Sequence, residues 1–291
     1  MDLLNHSANL RLIKYHGLGN DFLLLDRLEP GPPVTGETVR AACDRRRGIG
    51  ADGLIVVLPG SGGADLAMEL YNADGSRAEM SGNGIRCLAL FAHQAGLVDG
   101  RSFVVATDAG PRSVSIVAGG GPGPALVSVD MGEVRVGPAD EQVRVAGGAG
   151  GSVGAGRAGG ARAWRGRLVD AGNPHLVLVE DDLEHLALDD LGPALEAFRP
   201  GGVNVEWVRP GPGPDELDLR VWERGAGATL ACGTGSAAAA AAAIAMGLVP
   251  GPGVTVRNPG GPLEAACTGG RVVLTGPAER IGTAEIDRGQ P

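Results

Sequence analysis

The chain repeats itself, and the repeat limits what it can fold into. Around Met80 it reads M-S-G-N-G, then an apolar stretch, then Ala95-Gly96-Leu97-Val98; around Ala231 it reads A-C-G-T-G, then an apolar stretch, then Met246-Gly247-Leu248-Val249. Ser81 and Cys232 are 151 residues apart, as are Gly82 and Gly233, Gly84 and Gly235, and Gly96 and Gly247. The same offset aligns Leu66-Ala67-Met68 with Leu217-Asp218-Leu219, Asn72 with Glu223, and Gly110 with Gly261. A second match, offset by 153, pairs Gly19-Asn20-Asp21-Phe22 with Gly172-Asn173-Pro174-His175. Several matches in one order imply duplication. A duplicated chain folds as two similar halves and can set a reactive residue from each copy against one substrate across a pseudo-twofold cleft.

Composition excludes several classes. At 291 residues the chain suits two domains, each able to bury its own core. The net charge of −9, with no basic block, argues against nucleic acid as a partner. The start, MDLLNHSANLRLIKYHG, lacks a basic segment and a long apolar run, so no signal peptide is expected. The alanine run from Ala237 is too short and too weakly hydrophobic to span a membrane. Cys43, Cys87, Cys232 and Cys267 show no C-x-x-C spacing, so neither a metal site nor a disulfide framework is expected, and a reducing cytoplasm is the expected compartment.

Short β-branched and apolar runs bounded by Gly, Pro, Asn or Asp read as strands. They are Phe22–Asp26, Leu54–Leu58, Leu66–Tyr71, Phe103–Ala106, Ser113–Val117 and Leu126–Met131, then Leu168–Asp170, His175–Val179, Val203–Val208, Leu217–Trp222, Val254–Val256 and Arg271–Thr275. Helices are expected over Gly36–Cys43, Asn83–Ala95, Leu183–Leu188, Leu191–Phe198 and Thr234–Met246. The two repeat helices should end at Gly96 and Gly247. Ala146–Ala161 is glycine-rich and reads as a mobile surface loop. The expected class is α+β: two pseudo-symmetric domains, each a barrel-like antiparallel sheet around a central helix, with the active site in the cleft between them. The expected division is 1–125, completed by 278–291, and 126–277. Seven consecutive alanines make a helix without bulk, which fits where strands close in on all sides.

The turns Ser81-Gly82-Asn83-Gly84 and Cys232-Gly233-Thr234-Gly235 have a physical meaning of their own. Glycines let backbone amides turn toward a ligand, and the helix that follows adds a positive N-terminal dipole, making a site suited to a carboxylate. A thiol placed there is expected to have a lowered pKa.

At these residues the chain resembles the diaminopimelate epimerase family of cofactor-independent amino-acid racemases. The segments that carry the resemblance are K-Y-H-G-L-G-N-D-F (Lys14–Phe22), G-I-G-A-D-G (Gly48–Gly53), Y-N-A-D-G-S-R-A-E-M (Tyr71–Met80), G-N-G-I-R-C (Gly82–Cys87), G-N-P-H (Gly172–His175), G-V-N-V-E (Gly202–Glu206) and E-R-G-A-G-A-T-L-A-C-G-T-G (Glu223–Gly235). They run in family order over nearly the whole chain. The resemblance implies two β-barrel domains, each wrapped around a helix, and epimerisation of LL-2,6-diaminopimelate to the meso isomer for lysine and peptidoglycan-precursor synthesis. One thiolate removes the α-proton and an opposed thiol returns one. It also implies a small-molecule amino-acid substrate, no cofactor, no metal and a homodimer. Independently, Lys14 is the one lysine available for a Schiff base, which argues against a pyridoxal mechanism.

Carried over position by position, Cys232 and residue 81 form the catalytic pair, with His175 and Glu223 beside it tuning its proton affinity. Asn20, Asn72, Asn173 and Asn204 should hydrogen-bond the substrate. Arg224 should clamp the distal carboxylate. Gly82, Asn83, Gly233 and Thr234 should supply amides to the reacting end, with Glu223 also touching substrate. Two residues depart from the family pattern: Ser81 stands where it has Cys, and Ala228 where Glu is common. An alcohol offers almost no alkoxide at neutral pH, so a two-thiol mechanism is not available. Cys87 lies about 240° round the helix from Ser81 and reads as core. Three explanations compete for Ser81: an introduced Cys-to-Ser change, a slow natural variant assisted by His175 or Glu223, or a move to another reaction. The alternatives to the epimerase are therefore another amino-acid racemase, a one-base dehydratase or isomerase on the same scaffold, and a substrate-binding pseudoenzyme.

Overall fold

The structure is a computed structural model that describes residues 10–145 and 162–286; Ala146–Ala161, read above as a loop, lies outside the described residues. The chain divides into two compact units, Met1–Val127 with Pro277–Pro291 and Ser128–Gly276.

The first unit runs β1 (Leu10–Gly17), β2 (Asn20–Asp26), α1 (Gly36–Cys43), β3 (Gly53–Pro59), β4 (Leu66–Asn72), β5 (Arg77–Ala78), α2 (Gly82–Gln94), β6 (Ser102–Ala106), β7 (Arg112–Ala118) and the start of β8 (Ala125–Glu133). The second continues with β9 (Arg135–Val136), β10 (Glu141–Val145), β11 (Arg162–Asp170), β12 (Pro174–Val179), α3 (Leu188–Glu196), β13 (Asn204–Pro210), β14 (Glu216–Glu223), β15 (Gly227–Ala228), α4 (Gly233–Ala245), β16 (Gly253–Asn258), β17 (Gly261–Thr268) and β18 (Arg271–Ile286). Strand β18 serves both sheets: Arg271–Thr275 pairs with β17, and Glu279–Ile286 with β1.

The sequence repeat persists in the strand pairing. Phe22 pairs with Gly53 in parallel as His175 pairs with Asn204, and Leu54 faces Tyr71 as Val205 faces Trp222. Tyr71 faces Arg77 as Trp222 faces Ala228, and Leu66 faces Val105 as Leu217 faces Val256. Each sheet wraps one helix. In the first unit α2 touches β1, β2, β3 and β7; in the second α4 touches β9, β11–β14, β16 and β17. The outer face of each sheet carries the other helix. Val39, Ala42 and Cys43 of α1 pack on Leu23, Leu25, Leu54 and Val56. Leu195 of α3 packs with Leu176, Leu178, Val205 and Trp207.

The two-domain α+β expectation holds. The differences are local. Leu183–Leu188 is not a helix, and α3 begins only at Leu188, because the glutamate and aspartates before it form turns: the Asp182 carboxylate accepts from the His185 amide. Strand β1 alternates inward Leu10 and Leu12 with outward Arg11 and is not among the expected strands. Strand β17 is Gly-Pro-Leu-Glu-Ala-Ala-Cys-Thr, too poor in β-branched residues to announce itself. Strand β18 runs past Pro277, where a sequence reading ends a strand.

The alanine helix is as closely surrounded as its composition implied. Ala237, Ala238, Ala239 and Ala240 are all fully buried. The position equivalent to Ala239 in the first unit is Leu88, also fully buried. Ala239→Leu is expected to destabilise the protein by about 1–3 kcal/mol despite that precedent, because the second barrel is closed around methyl groups. Urea unfolding of the variant against the parent measures this, and an unchanged midpoint contradicts it.

Candidate active site

Ser81 and Cys232 occupy the same local structure. Each is the N-cap of a 13-residue helix, with φ −134° and ψ 123° at Ser81 and φ −124° and ψ 122° at Cys232. Ser81 Oγ accepts from the Gly84 amide at 3.0 Å, and Cys232 Sγ from the Gly235 amide at 3.3 Å. The bond satisfies one of the orphan amides that open any helix. Both helices close alike. The amides of Leu97 and Leu248 reach back to Ala92 and Ala243 at 2.9 Å, with Gly96 and Gly247 at φ 68° and 69°. That is the six-to-one bond of a glycine C-cap.

The surroundings differ. In the second unit, Cys232 is 4% exposed and lies within electrostatic reach of the Glu223 carboxyl. Its sulfur lies 3.5 Å from Thr234 Oγ1. Fully buried His175 bridges two partners: Nδ1 lies 2.7 Å from Glu206 Oε1, and Nε2 lies 2.8 Å from Asn173 Oδ1. Buried Asn204 gives its amide to the Pro174 carbonyl at 3.1 Å and accepts from the Arg224 backbone at 3.0 Å. The guanidinium of Arg224 is exposed and tied to the Gly201 carbonyl at 2.9 Å. Thr229 donates to Glu223. The unit therefore gathers Cys232, Thr234, Glu223, His175, Asn173, Asn204 and the Arg224 backbone through bonds and electrostatics. Ala228 is exposed on β15, opposite Trp222.

The first unit places Asn83 and Asn20 in contact, Asn83 Nδ2 donating to Asn20 Oδ1 at 3.0 Å, while Asn20 Nδ2 donates to Asp52 at 2.7 Å. Gly82 and Asn83 are buried in the first turn of α2. Asn72 is engaged elsewhere, donating to Ser76 Oγ at 3.0 Å within its own turn. Lys14 is bound to Asp21 at 2.8 Å and to the Gly50 carbonyl at 2.6 Å. The repeat shows what Ser81 lacks. The counterparts of His175, Glu206 and Glu223 are Phe22, Ile55 and Asn72, so those three places around Ser81 hold no ionisable group.

Glu206 was missed from sequence and belongs to the site. It is fully buried, its Oε2 has no hydrogen-bond partner among the described residues, and its Oε1 stands 2.6 Å from where a Cβ on Gly235 would sit. Glycine at 235 therefore lets a carboxylate approach the helix terminus. The signal was present: Glu206 is two residues from Asn204, so strand periodicity puts both on one face of an otherwise apolar run.

The expected lowering of the Cys232 pKa is overturned. Burial pushes the thiol well above its usual value, and the charges of Glu223 and Glu206 add to the rise. The hydrogen bonds from Thr234 and Gly235 act in the opposite sense but are outweighed. A helix terminus is worth at most about 2 kcal/mol. One carboxylate about 4 Å away opposes the thiolate by about 4 kcal/mol at an effective dielectric of about 20. Burial raises the Glu223 carboxyl as well. Buried Cys87 is held up at about 12, in keeping with a core residue. Among the described residues no cluster of His, Cys, Asp and Glu is arranged to hold a metal ion, and no helix is long and apolar enough to cross a membrane.

The geometry can be set beside known proteins. The sequence profile described as diaminopimelate epimerase matches residues 12–137 and 167–281. A diaminopimelate epimerase of Synechococcus elongatus is 41% identical over 286 residues, covering 96% of this chain and 99% of that protein. One of Synechocystis sp. is 41% identical over 301 residues, with 95% and 99% covered. Among solved structures, a hydroxyproline epimerase from Agrobacterium vitis with bound trans-4-hydroxy-L-proline has a TM-score of 0.69 at 18% identity, with 97% of this chain and 94% of that one covered. A methylitaconate-delta-isomerase has a TM-score of 0.58 at 14% identity, with 96% and 95% covered. The structural likenesses speak for the fold alone.

Removing a neighbouring negative charge favours the thiolate, so Glu223→Gln should lower the Cys232 pKa. The pH profile of alkylation at Cys232, followed by mass spectrometry, is expected to move to lower pH. A profile that stays or moves upward contradicts the assignment of Glu223 as its electrostatic partner.

Proposed function

The chain belongs to the diaminopimelate epimerase family, and we propose how its residues carry out proton exchange at an α-carbon. It is an isomerase whose reaction is the epimerisation of LL-2,6-diaminopimelate to the meso isomer, a step towards lysine. The observation that carries the assignment of residues is the matched pair of helix caps at Ser81 and Cys232.

An α-proton beside a carboxylate is a very weak acid, so the carbanion needs strong electrostatic support. The amides of Gly82–Asn83 and Gly233–Thr234 supply it at the substrate carboxylate. Cys232 is the group that takes or gives the α-proton. In the free protein burial and two glutamates keep it a thiol. The substrate ammonium brings the positive charge that offsets those carboxylates, so the thiolate forms when substrate is bound. His175, held by Glu206 and Asn173, and Glu223 set the charge around it. Asn20, Asn72, Asn173 and Asn204 orient the substrate, and Arg224 takes the distal carboxylate. The two units in this reading are the two pseudo-symmetric domains, and the enzyme works in the cytoplasm as a homodimer.

Full epimerisation needs an acid–base group for each face of the α-carbon. Cys232 serves one face. Ser81 stands at the position of the other, among Phe22, Ile55 and Asn72 as the counterparts of the groups around Cys232, and an alcohol there is a poor base. The reading is therefore an epimerase slowed at one face.

Solvent deuterium is expected to enter one stereoisomer much faster than the other in D₂O, with net epimerisation slow. Ser81→Cys should raise epimerisation by orders of magnitude, and Cys232→Ala should abolish exchange and epimerisation alike. A Ser81→Cys rate equal to or below that of the parent reassigns the chain to a one-base reaction or another substrate. Arg224→Lys should weaken meso-diaminopimelate binding in calorimetry although charge is kept, because a forked two-point contact is lost; unchanged affinity removes Arg224 from the site.

A further inference from the structure

Arg86 is a fully buried guanidinium on the inner helix of the first unit, and its counterpart in the second unit is Ala237. Among the described residues its hydrogen-bond partners are all neutral. Nη2 donates to Asn83 Oδ1 at 2.7 Å, Nη1 to the Gly82 carbonyl at 3.0 Å, and Nε to the Pro277 carbonyl at 3.3 Å. A Cβ at residue 17 would come within 3.0 Å of Nη2, so Gly17 keeps the space for it. Burying a charge on neutral partners is costly, and burial draws this guanidinium down to about 10.

The bonds from Arg86 continue in one line. Asn83 Nδ2 donates to Asn20 Oδ1 at 3.0 Å, and Asn20 Nδ2 donates to Asp52 Oδ2 at 2.7 Å. Asp52 is itself anchored by Arg45 at 2.6 Å and by the Asp21 amide at 3.0 Å. Arginine only donates, and an ionised carboxylate only accepts. With a pure donor at one end and a pure acceptor at the other, each amide between them has one permitted orientation. Flipping Asn83 would set its NH₂ against the guanidinium. Flipping Asn20 would set its oxygen against Asp52.

We infer that Arg86 is a positioning residue that, through Asn83, locks the amide of Asn20 with its nitrogen on the Asp52 side. This rests on the reading of Asn20 as a substrate contact. One hydrogen of Asn20 Nδ2 is committed to Asp52, and the second is a donor of fixed direction. A carboxylate ligand recognises a donor alone, so an Asn20 free to flip would hold it in only part of its population.

The test uses the full chain, with meso-diaminopimelate binding measured by calorimetry and side-chain amide spectra of protein labelled with ¹⁵N at asparagine. Arg86→Met is expected to weaken binding about tenfold, the scale of one directed hydrogen bond to a charged group. Arg86→Lys, still a pure donor, should rescue most of that loss. Asn83→Ala cuts the line while keeping the guanidinium and two of its acceptors, and should match Arg86→Met, which keeps the test open if that variant fails to fold. In an Asn20→Ala background, Arg86→Met should add no further loss, because the energies of coupled groups are not additive. The Asn20 and Asn83 amide signals should shift in Arg86→Met. Unchanged amide signals, or an equal loss of binding with and without Asn20, overturn the proposal. A parent protein that binds no diaminopimelate instead refutes the functional reading, and the amide signals then decide the orientation of Asn20 on their own.

Discussion

A helix enclosed by strands begins where its first amides cannot meet water, and the residue at its cap must accept their hydrogen bonds. Much of the site follows from that constraint. Ser81 and Cys232 are cap residues first: each turns its side chain back onto the third amide of its own helix. The same turn that satisfies the helix puts an oxygen or sulfur beside the amides that remain. An oxygen at residue 81 and a sulfur at residue 232 make the same cap bond while offering different acid–base chemistry.

The two copies kept their frame and diverged around it. Strand register is preserved pair for pair, from Phe22–Gly53 and His175–Asn204 onward. On that common frame the second copy carries His175, Glu206 and Glu223 about its cap, and the first carries Phe22, Ile55 and Asn72. The contact that fills the space under the helix shows the change: Ile55 lies 3.0 Å from a would-be Cβ on Gly84, and Glu206 lies 2.6 Å from one on Gly235. The first copy has instead invested in a line of oriented amides from Arg86 to Asp52.

A thiol at a helix N-terminus is commonly acidic, yet Cys232 is held in its neutral form. The dipole acts over one turn and is modest, while burial and two nearby carboxylates act on the same sulfur in a medium that screens weakly.

The duplication, most of the longer strands, the two inner helices with their glycine ends, and the positions of Ser81 and Cys232 were legible in the sequence, because each rests on local geometry: spacing, capping and the absence of bulk at Ala237–Ala240. Strands β1, β17 and the extension of β18 were obscured by charged, small or proline residues whose strand character comes from their neighbours across the sheet. Arg86 was also hidden, since a charged residue in an apolar run gives no sign of which partner it meets. What the sequence by itself determined was which residues open each helix and which chemical groups the chain owns. The tertiary structure decided their electrical state and direction: burial and Glu206 set the charge of Cys232, and Arg86 and Asp52, 34 residues apart, set which way Asn20 points. Those properties depend on dielectric and on partners distant in the chain, and neither is written in any single segment.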